Sequence, residues 1–303
     1  MMKKVFIFVA LTFMLSAGCS SGNSGNAELQ APEVPGVKLN SGYVMPMFGL
    51  GTWTQSSTTA EQSVYEAILA GYRLIDTAQY YGNEQGVGSG VRRAIDEGII
   101  SRSDVFITSK IMPGNYSDPD AAIASSNKRL GLGYIDLMLI HQPGINDEEA
   151  YKAIERSVKA GIVRSIGISN YYTPEEYERI AGGAEIAPSV VQNENHPYFQ
   201  NTELKAYLAG KGVIIESWYP LGGRGHTGEL FADDVIAGIA EAHGKTSAQV
   251  IIRWHVQAGY AVIPGSSNPE HIRENINVFD FSLSDEEMEA IASLNKGVRF
   301  ENW

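Results

Sequence analysis

From Phe48 onward the chain alternates between short apolar runs and longer stretches whose apolar positions recur with helical spacing. Residues 48–53 read as a first strand, and runs near Leu74, Phe106, Leu137, Ile166, Val190, Ile214 and Val262 read as further strands. Between them lie amphipathic stretches, among them residues 147–160, 174–180 and 59–70, the last opened by a Thr cap and stopped by Gly71. Strands that alternate with helices in this way pair in parallel, which predicts an α/β fold, either a (β/α)8 TIM barrel or an open doubly wound sheet. Ahead of them, Val37-Lys38-Leu39 and Tyr43-Val44-Met45 flank Asn40-Ser41-Gly42 and predict a hairpin. Gly244 and Thr246 break the helical stretch before the last strand, which implies an extra helix there. Ser284 and Glu287 have the spacing of a capping box and open a final helix over residues 285–294.

The choice between barrel and open sheet turns on glycine spacing. No G-x-G-x-x-G follows an early strand, and Gly86-Val87-Gly88-Ser89-Gly90 has the wrong spacing and lies within a helix-like stretch. Those glycines read as close helix packing, and the barrel is the better reading. Its length agrees, because the roughly 265 residues after the leader and tether suit one barrel with a sizeable core.

The leader occupies residues 1–19. Met1-Met2-Lys3-Lys4 is a basic start, and the apolar stretch at residues 5–15 is too short to span a bilayer, so the two together read as a signal peptide. Residues 20–36, rich in Gly, Ser and Asn at their start, read as a flexible tether, and residues 37–303 as the barrel. Cys19 is the only cysteine of the chain, so no internal disulfide is possible. A formal net charge of −12 and basic residues no more clustered than Arg92-Arg93 or Lys128-Arg129 speak against a nucleic-acid surface. No His-x-His strand end or clustered carboxylate trio points to a metal.

The candidate chemistry sits at strand ends. Leu74-Ile75 leads into Asp76, with Tyr81 in the following loop. Residues 105–109 lead into Lys110, and residues 135–140 into His141. In a parallel barrel all four side chains converge at the C-terminal mouth, where barrel enzymes build their active sites. A phenol beside an ammonium and a carboxylate is a proton donor. The ammonium is expected to lower the phenol's pKa toward working pH, and the carboxylate holds the ammonium charged.

These residues stand within wording that resembles the aldo-keto reductases. Gly71-Tyr72-Arg73-Leu74-Ile75-Asp76-Thr77-Ala78-Gln79-Tyr80-Tyr81-Gly82-Asn83-Glu84 is similar to that family's signature. So are Gly49-Leu50-Gly51-Thr52-Trp53, Leu139-Ile140-His141-Gln142-Pro143, Gly167-Ile168-Ser169-Asn170 and Ile263-Pro264-Gly265-Ser266, in order from Val37 to Asn295. The resemblance implies a reductase of aldehydes or ketones that uses NADPH or NADH, with Asp76, Tyr81, Lys110 and His141 as its tetrad. It places Ser169, Asn170 and Gln192 on the nicotinamide carboxamide, Trp218 under the ring, and Leu221 at the start of a glycine-rich loop (221–228, with Arg224) over the pyrophosphate. Glu274 and Asn275 would hold the adenine, and Trp53, Tyr80, His141 and Gln142 would line the substrate mouth. Four positions depart from the family, one of them Trp218, which stands for the usual Tyr. Gly265 stands for the usual Lys and His271 for a frequent Arg, near Ser266, so NADH use is expected to be substantial. Gln142 replaces a frequent Trp.

Ser16-Ala17-Gly18-Cys19 resembles a bacterial lipobox, with Ser16 where Leu is preferred, and implies lipidation of Cys19 and an envelope protein anchored to a membrane. Without lipidation the protein would be secreted or periplasmic. The expected partner is a small-molecule carbonyl substrate, and the expected state a monomer. A nucleotide-binding sensor or scaffold at the envelope, with little turnover, is the alternative function.

Overall fold

The computed structural model describes residues 33–301; the expected signal peptide, Cys19 and most of the tether lie outside the described residues. The expected hairpin is present as β1 (Gly36–Lys38) and β2 (Val44–Pro46), antiparallel, with Val37 opposite Met45. Gly36 already belongs to a strand, so the ordered pairing starts one residue inside the stretch read as tether. Gly42 turns the hairpin at φ 90°, a backbone region that glycine enters without steric cost.

Eight strands then form one parallel sheet in chain order: β3 (Leu50–Gly51), β4 (Leu74–Asp76), β5 (Phe106–Ile111), β6 (Ile135–Ile140), β7 (Val163–Ser169), β8 (Val190–Glu194), β9 (Ile214–Trp218) and β10 (Ala261–Val262). The first strand is shorter than the expected residues 48–53, because only Leu50–Gly51 pairs continuously with β4. Its flanks instead meet the last strand, in parallel bridges between Phe48 and Val262 and between Gly51 and Gly265. The sheet thus curls until its edges touch, the (β/α)8 arrangement.

The crossover helices follow the capping signals. α1 (Ser57–Ala70) is capped by Ser56, whose Oγ accepts from the Thr59 amide, so the expected Thr cap is corrected to a Ser three residues earlier; Gly71 ends the helix in the left-handed region. α2 (Glu84–Asp96) carries the three clustered glycines. A Cβ on Gly86 would sit 1.9 Å from the Ser57 carbonyl oxygen and one on Gly88 1.9 Å from that of Leu130, so these glycines allow close helix approach as read from the sequence. Next come α3 (Pro119–Leu130), α4 (Asp147–Lys159), α5 (Pro174–Ala181, boxed by Thr173 and Glu176) and α6 (Thr202–Leu208). α7 (Gly223–Phe231) is broken at Arg224 and Gly225, and α8 (Asp234–His243) and α9 (Ser247–Gln257) are the pair separated at Gly244 and Thr246. α10 (Pro269–Ile276) and α11 (Asp285–Ala292), the latter with the expected capping box, complete the chain.

Period-2 alternation sorts each strand into an outer set under the helices and an inner set lining the barrel. Inside, Leu74, Phe106, Leu137, Leu139, Val190, Ile214 and Ala261 pack with Leu39 and Met45 of the hairpin, which closes the floor. The next inward positions are polar: Asp76, Thr108, Lys110, Gln192 and Glu216, all buried. An apolar floor and a polar layer above it give the barrel one chemically active end.

Candidate active site

The four tetrad residues meet at that end. Lys110 Nζ donates to Asp76 Oδ1 at 2.7 Å, to the Thr77 carbonyl at 3.0 Å and to the Tyr81 hydroxyl at 3.1 Å. Tyr81 sits on a short 3-10 turn, Gln79–Tyr81, that neighbouring side chains pin. Asn83 accepts from Thr77 Oγ1 and donates to the Thr52 and Gln55 carbonyls, while Gln79 bonds to the Ala122 carbonyl, Ser126 and Asn115. The phenol is therefore delivered by a loop whose polar side chains are tied down on both sides. His141 stands edge-on to the Tyr81 ring at 5.8 Å between centroids, and Trp53 lies 4.8 Å from it on another side.

Burial governs the electrostatics of this group. It disfavours the Lys110 ammonium, but Asp76 and Tyr81 together outweigh it and hold that pKa above the ordinary value. The Tyr81 phenol goes the other way from the sequence expectation: desolvation overrides Lys110 and pushes it up to about 12. Its proton is thus retained at neutral pH, as a donor requires, and the phenol is not tuned to working pH. Burial and, secondarily, Lys110 lower His141 to about 3, leaving a neutral imidazole with one N–H to donate.

A second carboxylate lies below. Gln192 Nε2 donates to Asp76 Oδ2 at 2.8 Å and to Glu216 Oε2 at 2.6 Å. Burial pushes Asp76 up, with Lys110 and Gln192 opposing; Glu216, with no cation in contact and Asp76 nearby, is pushed up to about 8. Sequence reasoning passed over Glu216. Its position two residues before Trp218 on one strand puts both on the inner face, and that parity was the available signal.

Above the tetrad opens a cavity of about 500 Å³. Trp53, Asp76, Tyr81, His141, Gln142, Ser169, Asn170, Gln192, Trp218, Leu221, Gly265, Ser266, His271, Glu274 and Asn275 all line it, so the residues assigned from sequence converge from seven strand ends and from α10. Two do not line it. Lys110 is buried beneath Tyr81, and Tyr80 stacks on Trp53 from the exposed rim at 5.5 Å. Tyr219, unassigned from sequence, also lines it; Trp53 hydrogen-bonds its hydroxyl.

The three residues expected at the nicotinamide carboxamide differ in the hydrogen-bonding capacity they have left. Asn170, held at φ 66°, does not cap the next helix, whose cap is Thr173. Its amide is fully engaged: Nδ2 donates to the His141 carbonyl and Ser169 Oγ, and Oδ1 accepts from Tyr172 and Trp218 Nε1. A ligand reaching Asn170 must replace one of these bonds. The Ser169 hydroxyl hydrogen and Gln192 Oε1 carry no such commitment, and one donor with one acceptor matches a primary carboxamide. The stretch at 221–228, expected as a glycine-rich loop, is instead a turn entering the broken helix α7, with Arg224 at its extended break beside the cavity. A Cβ on Gly223 would meet the Tyr219 ring at 2.4 Å, so glycine is required there. Arg273, on the same helix as His271, pairs with Glu66 of α1 at 3.7 Å and does not line the cavity.

The C-terminal stretch packs against the end of β8 and against α7. Glu194 accepts from the amides of Phe300 at 2.5 Å and Glu301 at 3.2 Å, and the Phe300 ring is stacked between His196 and His226 at 4.1 and 4.0 Å.

Known proteins share this arrangement. Residues 47–296 match the Aldo/keto reductase family. The chain is 39% identical to the NAD(P)H-dependent D-xylose reductase I,II of Candida tropicalis, across 89% of this chain and 95% of that protein. It is 40% identical to methylglyoxal reductase DkgA of Yersinia pestis, across 88% and 94% respectively. Among solved structures, a Bombyx mori aldo-keto reductase in complex with NADP superposes with a TM-score of 0.84 at 33% identity, covering 90% of this chain and 96% of that one. MGS-M4, an aldo-keto reductase from a deep-sea metagenome of the Medee basin, gives 0.83 at 38%, covering 88% and 97%. With sequence, fold and the buried tetrad in agreement over nearly the whole described region, this chain belongs to the aldo/keto reductase family.

Proposed function

We propose that the protein reduces a small aldehyde or ketone to the alcohol with Tyr81 as proton donor, working as a lipid-anchored monomer in the bacterial cell envelope. The observation that carries the chemistry is the buried line Asp76–Lys110–Tyr81, which opens on the cavity beside a neutral His141. A reduced nicotinamide, when bound, would supply the hydride that the carbonyl carbon accepts. Tyr81 gives its proton to the carbonyl oxygen, and the Lys110 ammonium stabilises the phenolate left behind. Asp76 keeps that ammonium charged and in place. The His141 N–H can donate to the same carbonyl oxygen and orient it, while Trp53 and Gln142 wall the pocket against water. Ser169 and Gln192 would hold the carboxamide of the cofactor, Trp218 its ring face, and Glu274 with Asn275 its adenine end.

For the choice between cofactors, Gly265 and His271 offer no permanent cation, and Arg273 is turned to Glu66. NADH is therefore used at least comparably with NADPH. The lipid anchor rests on Ser16-Ala17-Gly18-Cys19. A scaffold without turnover would have no use for a buried proton donor with its own charge support. The experiment is an initial-rate panel of aldehydes and ketones, D-xylose and methylglyoxal among them, with NADH and NADPH. Carbonyl-dependent oxidation of the cofactor is the expected result, and none across the panel sinks the reading.

A further inference from the structure

We propose that Glu216 is a positioning residue of this reaction, acting on Asp76 and Lys110 through the Gln192 amide. The inference rests on the reductase reading above. Four contacts run in one line from the proton donor into the barrel: Tyr81 Oη to Lys110 Nζ at 3.1 Å, Nζ to Asp76 Oδ1 at 2.7 Å, Asp76 Oδ2 to Gln192 Nε2 at 2.8 Å, and the same Nε2 to Glu216 Oε2 at 2.6 Å. Asp76, Lys110, Gln192 and Glu216 are all buried. One amide nitrogen thus bridges two carboxyl groups, and a single cation serves both.

Charge decides their states. With both carboxyls ionised, the buried group would carry one uncompensated negative charge, which a dry interior strongly disfavours. Asp76 has the contact with Lys110, so Glu216 is the group that holds the proton. The charged groups facing it are Asp76 from β4 and Lys110 from β5; β8 contributes the neutral Gln192, and Ala261 and Val262 of β10 are apolar. Glu216 Oε2 accepts from Gln192, which leaves Oε1 for the proton, and Oε1 has no hydrogen-bond partner among the described residues. Protonated, Glu216 leaves the attraction of Asp76 for Lys110 undisturbed and holds the Gln192 side chain from below, with its carbonyl oxygen free. Ionised, it adds a negative charge that binds Lys110 more tightly and makes the Tyr81 phenol a weaker acid, so proton transfer slows.

The test compares pH profiles of kcat and KM for methylglyoxal and D-xylose reduction in the parent, Glu216→Gln and Glu216→Ala. In the parent, kcat falls through a limb near pH 8, by roughly threefold to tenfold, since one unit in an acid's pKa is worth at most about tenfold in the transfer. Glu216→Gln still accepts from Gln192 but never ionises, and its profile lacks that limb. Glu216→Ala also lacks the limb and lowers kcat further, because Gln192 loses its lower anchor. A limb of equal size and midpoint in Glu216→Gln overturns the inference. Infrared difference spectra of the parent need no variant to fold: a protonated carboxyl band present at pH 7 and lost on raising the pH is expected, and its absence at pH 7 overturns the inference equally. If the parent reduces carbonyls and either result fails, only the role of Glu216 falls; if the parent reduces none, the reductase reading falls with it.

Discussion

At the scale of single residues, Tyr81 is the most exposed to test. Burial keeps its proton in place to about pH 12, so it is an acid in reserve whose transfer depends on Lys110 stabilising the product phenolate. Tyr81→Phe removes the transferable proton and little else, because the ring contacts with Trp53 and His141 survive the loss of one oxygen. Turnover should fall at least about a hundredfold, the lower end of what a positioned general acid contributes. Cofactor affinity, measured by fluorescence quenching, should stay within about threefold, a difference of well under 1 kcal/mol. Turnover within tenfold of the parent would mean that the proton comes from elsewhere.

At the scale of elements, the link from β10 to α10 sets cofactor choice. Gly265 lies against Gly51 and His271 on the first turns of α10, and the only arginine of that helix is paired with Glu66. A 2′-phosphate there meets Ser266 and backbone groups but no permanent cation. Each missing charge-assisted hydrogen bond is worth about 1.5–3 kcal/mol. The ratio of kcat/KM for NADPH over NADH should therefore be near or below one in the parent and rise by at least about tenfold in Gly265→Lys/His271→Arg. A Cβ at position 265 would sit 3.2 Å from the Gly51 carbonyl oxygen, so a small backbone adjustment accompanies the lysine. A parent that prefers NADPH a hundredfold, with the double variant no different, would show that another group reads the phosphate.

At the scale of the whole molecule, buried titratable groups shape stability against pH. His141 and His255 are held neutral, lowered by burial to about 3 and about 4. Below their ordinary value near 6.5 the unfolded chain binds protons that the folded chain refuses, so stability falls as pH drops from about 6.5 toward 4. Glu216 has the opposite sign. Between its ordinary value of 4.5 and its folded value of about 8 the folded chain holds a proton the unfolded chain has lost, so this contribution falls as pH rises from about 4.5 to 8, and above about 6.5 the two histidines no longer offset it. Thermal midpoints should peak between about pH 6 and 7, and Glu216→Gln should flatten the alkaline side. A parent whose midpoint rises steadily from pH 6 to pH 8 would contradict the buried neutral carboxyl. Location belongs to this scale too. Cys19→Ser should move the protein from the membrane fraction to the soluble fraction, because a diacylated cysteine anchors stably and an unmodified chain does not. A parent already soluble after export would remove the anchor.

The chain order of strands and helices, the hairpin, the final capping box and the positions of the four tetrad residues were all legible in the sequence. Each depends on local periodicity, on a cap three residues away, or on a polar residue that ends an apolar run, and those signals are written within a few positions. The Thr cap of α1, the length of β3 and the loop at 221–228 were misread for the complementary reason. Ser56, the barrel seam at Phe48 and Gly51, and the Tyr219 ring beneath Gly223 are chosen by contacts that propensity does not contain. The largest difference lies in charge. Sequence placed an ammonium beside a phenol and expected the phenol to become more acidic, whereas the fold removes the water from around it and raises it. Sequence likewise gave no reason to join Asp76 to Glu216, which lie far apart along the chain and meet only through Gln192. Coulomb and desolvation energies depend on distance and dielectric in three dimensions, so which residues carry the chemistry could be read from the chain, and which protonation states they hold was decided by the closed barrel.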